Sequence, residues 1–213
     1  MLACWPLYEY QGRRPVISSG FGPRARNTYS CGIHLGADID YRWQPGDPTS
    51  GPLASVSRDR NGELHGYFTP RGAIACAAAP GRVLQSRANS RGWGVALEHD
   101  GGLITWYQHL RGSSLRRGAV VDAGAALGVV GYDESDARAS GDEAFHHLHF
   151  ATAQRGASQG ATVCHDLGMR LGLGFSATAV DPAPLLAGAD VAQRSSGIGG
   201  PFVMGLIVAY LMA

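Results

Sequence analysis

Phe145-His146-His147-Leu148-His149-Phe150 has the alternation of a β-strand. Successive side chains of a strand point to opposite faces. His147 and His149 therefore share one face, while His146, Leu148 and Phe150 take the other, where the last two enter a core. Far upstream stands His34-Leu35-Gly36-Ala37-Asp38. His34 and Asp38, four apart, fall on one side of an extended or helical segment. Imidazole nitrogen and carboxylate oxygen both suit Zn2+ at about 2.0–2.2 Å. Two histidines, one carboxylate and a water make an open catalytic zinc site, whereas a structural zinc module takes four protein ligands. The expected chemistry is hydrolysis by a metal-activated water. A further histidine, His109, lies in Thr105-Trp106-Tyr107-Gln108-His109-Leu110, an alternating run. If that strand neighbours the histidine strand, His109 approaches the water and acts with His147 on its proton or on the oxyanion.

Composition bounds the rest. The chain has 213 residues, of which 45% are hydrophobic, enough for a core. A net charge of +1 argues against nucleic acid as a partner. All 18 basic residues are arginine. The 31 glycines and 11 prolines suit a turn-rich all-β protein. Cys4, Cys31, Cys76 and Cys164 form no CxxC pair, so reduced buried thiols compete with three complete disulfide pairings. Cys31, three residues before His34, would close the metal site as a fourth ligand and leave no place for water.

Val16 to Arg24 is a short β run ending in a Gly/Pro turn. Ala75–Ala79, Gly81–Ser86, Gly94–His99, Leu103–Leu110 and Ala126–Val130 are β-like runs separated by Gly and Asp, and His147–Ala151 is the last strand. The expected fold is all-β, a compact antiparallel sheet or open β-sandwich. Residues 1–15 form an N-terminal arm. The domain covers 16–190, with an insertion at 41–73 holding a hairpin at Asn61-Gly62. Residues 191–213 are a Gly-rich linker and an apolar C-terminal segment. Residues 1–10 lack the basic and apolar regions of a secretory signal. Phe202 to Ala213 would span about 18 Å as a helix, short of a bilayer core of ~30 Å. A packed terminal helix, a membrane-contacting tail and an assembly plug all fit that segment.

The ordered motifs resemble those of the lysostaphin/LytM family of zinc endopeptidases, which cut peptide cross-links in bacterial peptidoglycan. Ser19-Gly20-Phe21-Gly22-Pro23-Arg24 resembles the family's opening turn, and His34 to Asp38 its HxGxD element. Ala79-Pro80-Gly81-Arg82-Val83 resembles its central strand. Gly92 to His99 leads to Tyr107-Gln108-His109-Leu110 as its G-x-V-x-I-x-H and Y-x-H-L motifs do. Gly118 to Gly131 follows its glycine-spaced pattern, and His147-Leu148-His149-Phe150 its HLHF hallmark. The resemblance implies a groove across the sheet. It implies that His34, Asp38 and His149 bind zinc and that His109 and His147 are catalytic. It leaves His99 structural, gives His65, His146 and His165 no role, and makes Tyr29 the nearest match to an assisting tyrosine. The stretch between Asp38 and Ala79 is longer than the family's usual link, and so is the stretch before Asp181-Pro182.

The function expected from the resemblance is zinc-dependent hydrolysis of peptidoglycan stem-peptide or bridge cross-links, on the cell wall in the periplasm or outside the cell. The N-terminus favours delivery by a phage virion or a lysis enzyme, with the C-terminal segment contacting other tail proteins or a membrane. The alternative is an inactive LytM-like structural component of a virion or envelope.

Overall fold

The structure is a computed structural model and describes residues 2–24, 32–51, 53–89, 91–131, 146–156 and 165–192. Tyr29, Cys31, Cys164, Phe145 and the apolar C-terminal segment lie outside the described residues.

Antiparallel strands dominate. The central ones are β8 (Gly81–Asn89), β9 (Gly92–Glu98), β10 (Leu103–Leu110) and β13 (Leu148–Arg155). β4 (Ala37–Arg42) follows β13 in the sheet, then β6 (Leu64–Phe68) and β5 (Ala54–Arg58). At the other edge β8 pairs with β11 (Val120–Val121). β1 (Pro15–Ser19) lies along β4, and β2 (Gly22–Pro23) pairs with β3 (Ile33–His34). β7 (Ile74–Cys76) and β12 (Ala126–Val129) form a separate small sheet. The all-β architecture expected from the sequence is the one found.

β10 and β13 are buried on both faces, as strands that carry apolar residues at consecutive positions must be. Tyr107, Leu110, Leu148 and Phe150 point into the larger core with Val95 and Leu97 of β9. Trp106, Ala151 and Ala153 point into a smaller core on the opposite face, with Leu35 and Leu167. Phe150 is fully buried, its ring 5.2 Å from that of Tyr107. Its truncation to alanine would cost about 3–5 kcal/mol.

One expectation changes. His147–Ala151 is not the last strand: β14 (Ala177–Val180) pairs with the second half of β13, over Thr152–Arg155. β4 occupies only the first half of that edge, over Leu148–Phe150, so the second half is left open for it. The insertion at 41–73 joins the large sheet. It contains the hairpin expected at Asn61-Gly62, built from β5 and β6, and Tyr41↔Phe68 joins that hairpin to β4. The first residues pack as part of the core, with Leu2 and Leu7 buried and the backbone of Ala3 and Cys4 bonded to Ala78 O. Cys4 and Cys76 are buried free thiols.

Candidate metal and catalytic site

His149 on β13 stands opposite Asp38 on β4. Directly opposed residues of an antiparallel pair project to the same face, here the face of the smaller core. His34 reaches the same point from β3. The three side chains bring His34 Nε2, Asp38 Oδ1 and His149 Nδ1 together: 3.1 Å from His34 to Asp38, 3.0 Å from His34 to His149 and 3.1 Å from His149 to Asp38. Among the described residues this is the more buried of two groups with metal-binding atoms in reach of one another. The other, Asp59, Glu63 and His65, is exposed on the β5–β6 hairpin.

The donor set fits Zn2+. Ligand atoms about 2.0–2.1 Å from a tetrahedral ion stand roughly 3.3 Å apart, close to the edges of this triangle. His34 Nδ1 lies 2.8 Å from Gly20 O. The Arg24 guanidinium also meets Nδ1, and the tautomer that donates Nδ1–H to Gly20 O is the one that leaves Nε2 as the lone-pair nitrogen a metal needs. Burial pushes Asp38 up, but hydrogen bonds from His149 and His34 and the nearby imidazoles outweigh it and hold the carboxyl well below the usual range. Burial pushes His149 down against the opposing pull of Asp38. A carboxylate and neutral imidazoles are the forms that bind a metal.

Gly36 lets β3 and β4 come this close to β13. A Cβ built there would lie 2.6 Å from Phe150 O and 3.0 Å from His149 Cε1. The glycine in the His34–Asp38 element is thus a packing requirement of the site.

His147 precedes β13 on the His149 face, its Nε2 3.5 Å from Asp38 Oδ1. His109 comes from β10, its ring 4.7 Å from that of His147 and 5.9 Å from that of His149. Simple alternation does not put it there. The β10–β13 register opposes Gln108 to His149, so alternation would send Gln108 to the site and His109 into the larger core. Instead β10 is irregular against β9 between Tyr107 and Leu110, and His109 has φ 66°. The bulge inserts one residue: Gln108 and His109 both reach the site face, and Leu110 regains the core. A left-handed non-glycine residue is costly and marks a place where structure overrides local preference. His109 Nδ1 lies 3.0 Å from Arg91 O, which as acceptor orients Nε2 as the basic nitrogen. Burial and the like charges of His147 and His149 hold His109 well below the usual imidazole range.

The remaining histidines lie apart. His99 bonds Pro80 O and Thr105 Oγ1, both at 2.7 Å, in a network that continues through Tyr107 to the Ala78 N–H. His146 is buried under Gly131, and burial together with Arg111 and Arg71 pushes it down to about 4. His65 and His165 lie outside the cluster.

Asp40 was not anticipated. It alternates with Asp38 on β4 and is fully buried, accepting from Thr69 Oγ1 at 2.6 Å and from Ser18 Oγ. Burial raises it to about 6 despite the charge of His147 nearby. Asp38-Ile39-Asp40 carried the alternation that signals it.

The model of peptidase family M23 matches residues 65–161. The match includes His109, His147 and His149 and begins after His34 and Asp38. No curated protein sequence matches the chain. Among solved structures, lysostaphin from Staphylococcus simulans superposes with a TM-score of 0.52 at 20% identity, over 95% of this chain and 62% of lysostaphin. The catalytic domain of lysostaphin superposes with a TM-score of 0.50 at 20% identity, over 82% of this chain and 92% of that domain. A zinc containing peptidase from Vibrio cholerae matches at 21% identity and a TM-score of 0.46, over 71% of this chain. This chain spans 36% of that peptidase's length. The likeness to lysostaphin establishes a shared fold.

Proposed function

We propose, on the premise that this chain belongs with the lysostaphin/LytM-type peptidases, that it is a zinc-dependent endopeptidase of peptidoglycan cross-links, acting on the cell wall. The observation that carries the reading is the near-equilateral triangle of His34 Nε2, Asp38 Oδ1 and His149 Nδ1 with two further histidines beside it.

His34, Asp38 and His149 would hold the ion. What zinc supplies when bound is Lewis acidity toward water and the scissile carbonyl. His109, oriented by Arg91 O and held neutral by burial, accepts the proton of the attacking water at Nε2. His147, beside both His109 and Asp38, donates an N–H hydrogen bond to the developing oxyanion, and the pair hands the proton taken from water on to the leaving amine. The bulge at His109 fixes the distance between the pair before substrate arrives.

His149→Ala and His147→Ala separate the roles. His149→Ala loses both zinc and hydrolysis of purified walls. His147→Ala keeps zinc and loses turnover by about 10²–10⁴-fold. Full wall hydrolysis by a zinc-free His149→Ala protein would sink the proposal, and zinc loss in His147→Ala would exchange the two assignments. Proteomics of purified phage particles tests the virion-borne delivery expected from the sequence, which absence of the chain rejects.

A further inference from the structure

The face that holds His34 and His149 continues into a groove lined by Trp106, Gln108, Asn89 and three arginines. Arg87 comes from β8, Arg91 from the turn after it, and Arg170 from the short helix α1 (Leu167–Arg170). An adjoining depression shares Arg87 and adds Arg117. Among the described residues no Asp or Glu lines either one. Nor does any described carboxylate stand within ion-pair distance of Arg87 or Arg170, whereas Arg13 pairs with Asp47 and Arg155 with Glu98. Arg87 is braced by donating to Leu171 O at 3.0 Å.

The groove's neutral polar groups bond to one another. Asn89 Oδ1 accepts from Arg91 N at 2.8 Å and from Gln108 Nε2 at 3.1 Å. Gln108 Oε1 accepts from Trp106 Nε1 at 3.3 Å. These bonds tie Asn89, Gln108 and Trp106 to one another within the wall and leave the arginines as its charged groups. Arg170 is pushed down by burial and by the charge of Arg91, as like charges gathered in one place require. Guanidinium groups in a groove lined by no carboxylate suit planar anions, since guanidinium and carboxylate pair through two parallel hydrogen bonds.

We infer that this groove reads carboxylates: Arg87 and Arg170 select peptide strands bearing free carboxylates near the scissile bond over neutral strands such as an oligoglycine bridge. The inference rests on the endopeptidase reading, and it narrows the substrate to an acidic stem-peptide cross-link.

The test uses the zinc-loaded full chain and three probes. These are a synthetic cross-linked stem-peptide dimer with free side carboxylates, the same dimer with those carboxylates amidated, and a pentaglycine-bridged peptide. The free-acid dimer is expected to have the highest kcat/KM, by about tenfold or more over the amidated one, as hydrogen bonds to charged groups allow. That ratio narrows at high salt. It falls toward one in Arg87→Gln/Arg170→Gln, and Arg170→Lys restores part of what Arg170→Gln loses. Zinc content and urea denaturation establish that each variant is folded. Equal rates on the three probes, or an unchanged ratio in the double variant, would overturn the inference and leave the endopeptidase reading standing. Binding of the two dimers to His147→Ala, measured by calorimetry, covers the opposite case. If no probe is cleaved by the wild type, tighter binding of the free acid keeps the carboxylate site and rejects the peptidase, while equal binding rejects both.

Discussion

Gly36→Ala changes one hydrogen to a methyl group, yet it should damage the proposed metal site without replacing any of its ligands. The new Cβ would lie 2.6 Å from Phe150 O, about 0.8 Å inside ordinary contact, and 3.0 Å from both His149 Cε1 and Ala151 Cβ. Two of these are parts of β13 that cannot swing away as a flexible side-chain end can. Relief requires the segment joining β3 to β4 to move off β13 by most of that overlap. His34 and Asp38 travel with that segment and His149 stays, so the 3.0–3.1 Å triangle opens on the His149 side. A metal site tolerates errors of about 0.2 Å in its ligand distances. The expected cost is about 1–3 kcal/mol of stability from overpacking and roughly 10–100-fold in zinc affinity, the scale seen when support around a ligand set is lost. Competition with a chromophoric chelator gives the affinity, and urea denaturation of the metal-free protein gives the stability. Gly20→Ala is the control, because a Cβ there meets nothing within 4 Å and the Gly20 carbonyl that anchors His34 is kept. Wild-type zinc affinity and stability in Gly36→Ala would refute the claim that this glycine sets the approach of the strands.

Other outcomes follow from the buried polar groups. Tyr107→Phe removes the oxygen that accepts the Ala78 N–H at 2.8 Å and receives the Thr105 hydroxyl. Stranding a buried donor should cost about 1–3 kcal/mol in urea denaturation, and an unchanged midpoint would contradict the network. His146 is buried neutral, pushed down to about 4 from an unfolded value near 6.5. Below that unfolded value the unfolded chain binds the extra proton, so stability falls as pH drops from about 6.5 to about 4. His146→Phe should flatten this part of the metal-free protein's stability–pH curve, and an unaltered slope would exclude His146 as the cause.

Strand positions were largely visible in the chain itself. Alternation in Leu103–Leu110 and at His147–Phe150 follows from the two-residue period of a strand, which needs no knowledge of neighbours. The same period placed His147 and His149 on one face and Leu148 and Phe150 in the core. β14 was hidden because its short Ala177–Val180 run acquires meaning only from the free half-edge of β13. The arginine groove was equally invisible, since Arg87, Arg91 and Arg170 are scattered in sequence and meet only through β8, its turn and α1.

By itself the sequence determined the residue types of the site and the two strand segments that carry most of them, because periodicity and donor chemistry are local properties. Tertiary structure alone decided that His34, Asp38 and His149 converge to 3.0–3.1 Å. It also decided that Gly36 must lack a side chain and that His109 faces His147 at all. The reason is physical: alternation sends His109 into the core, and only a bulge with a left-handed residue, held between β9 and β13 and by Gly131 N–H on its carbonyl, turns it to the other face.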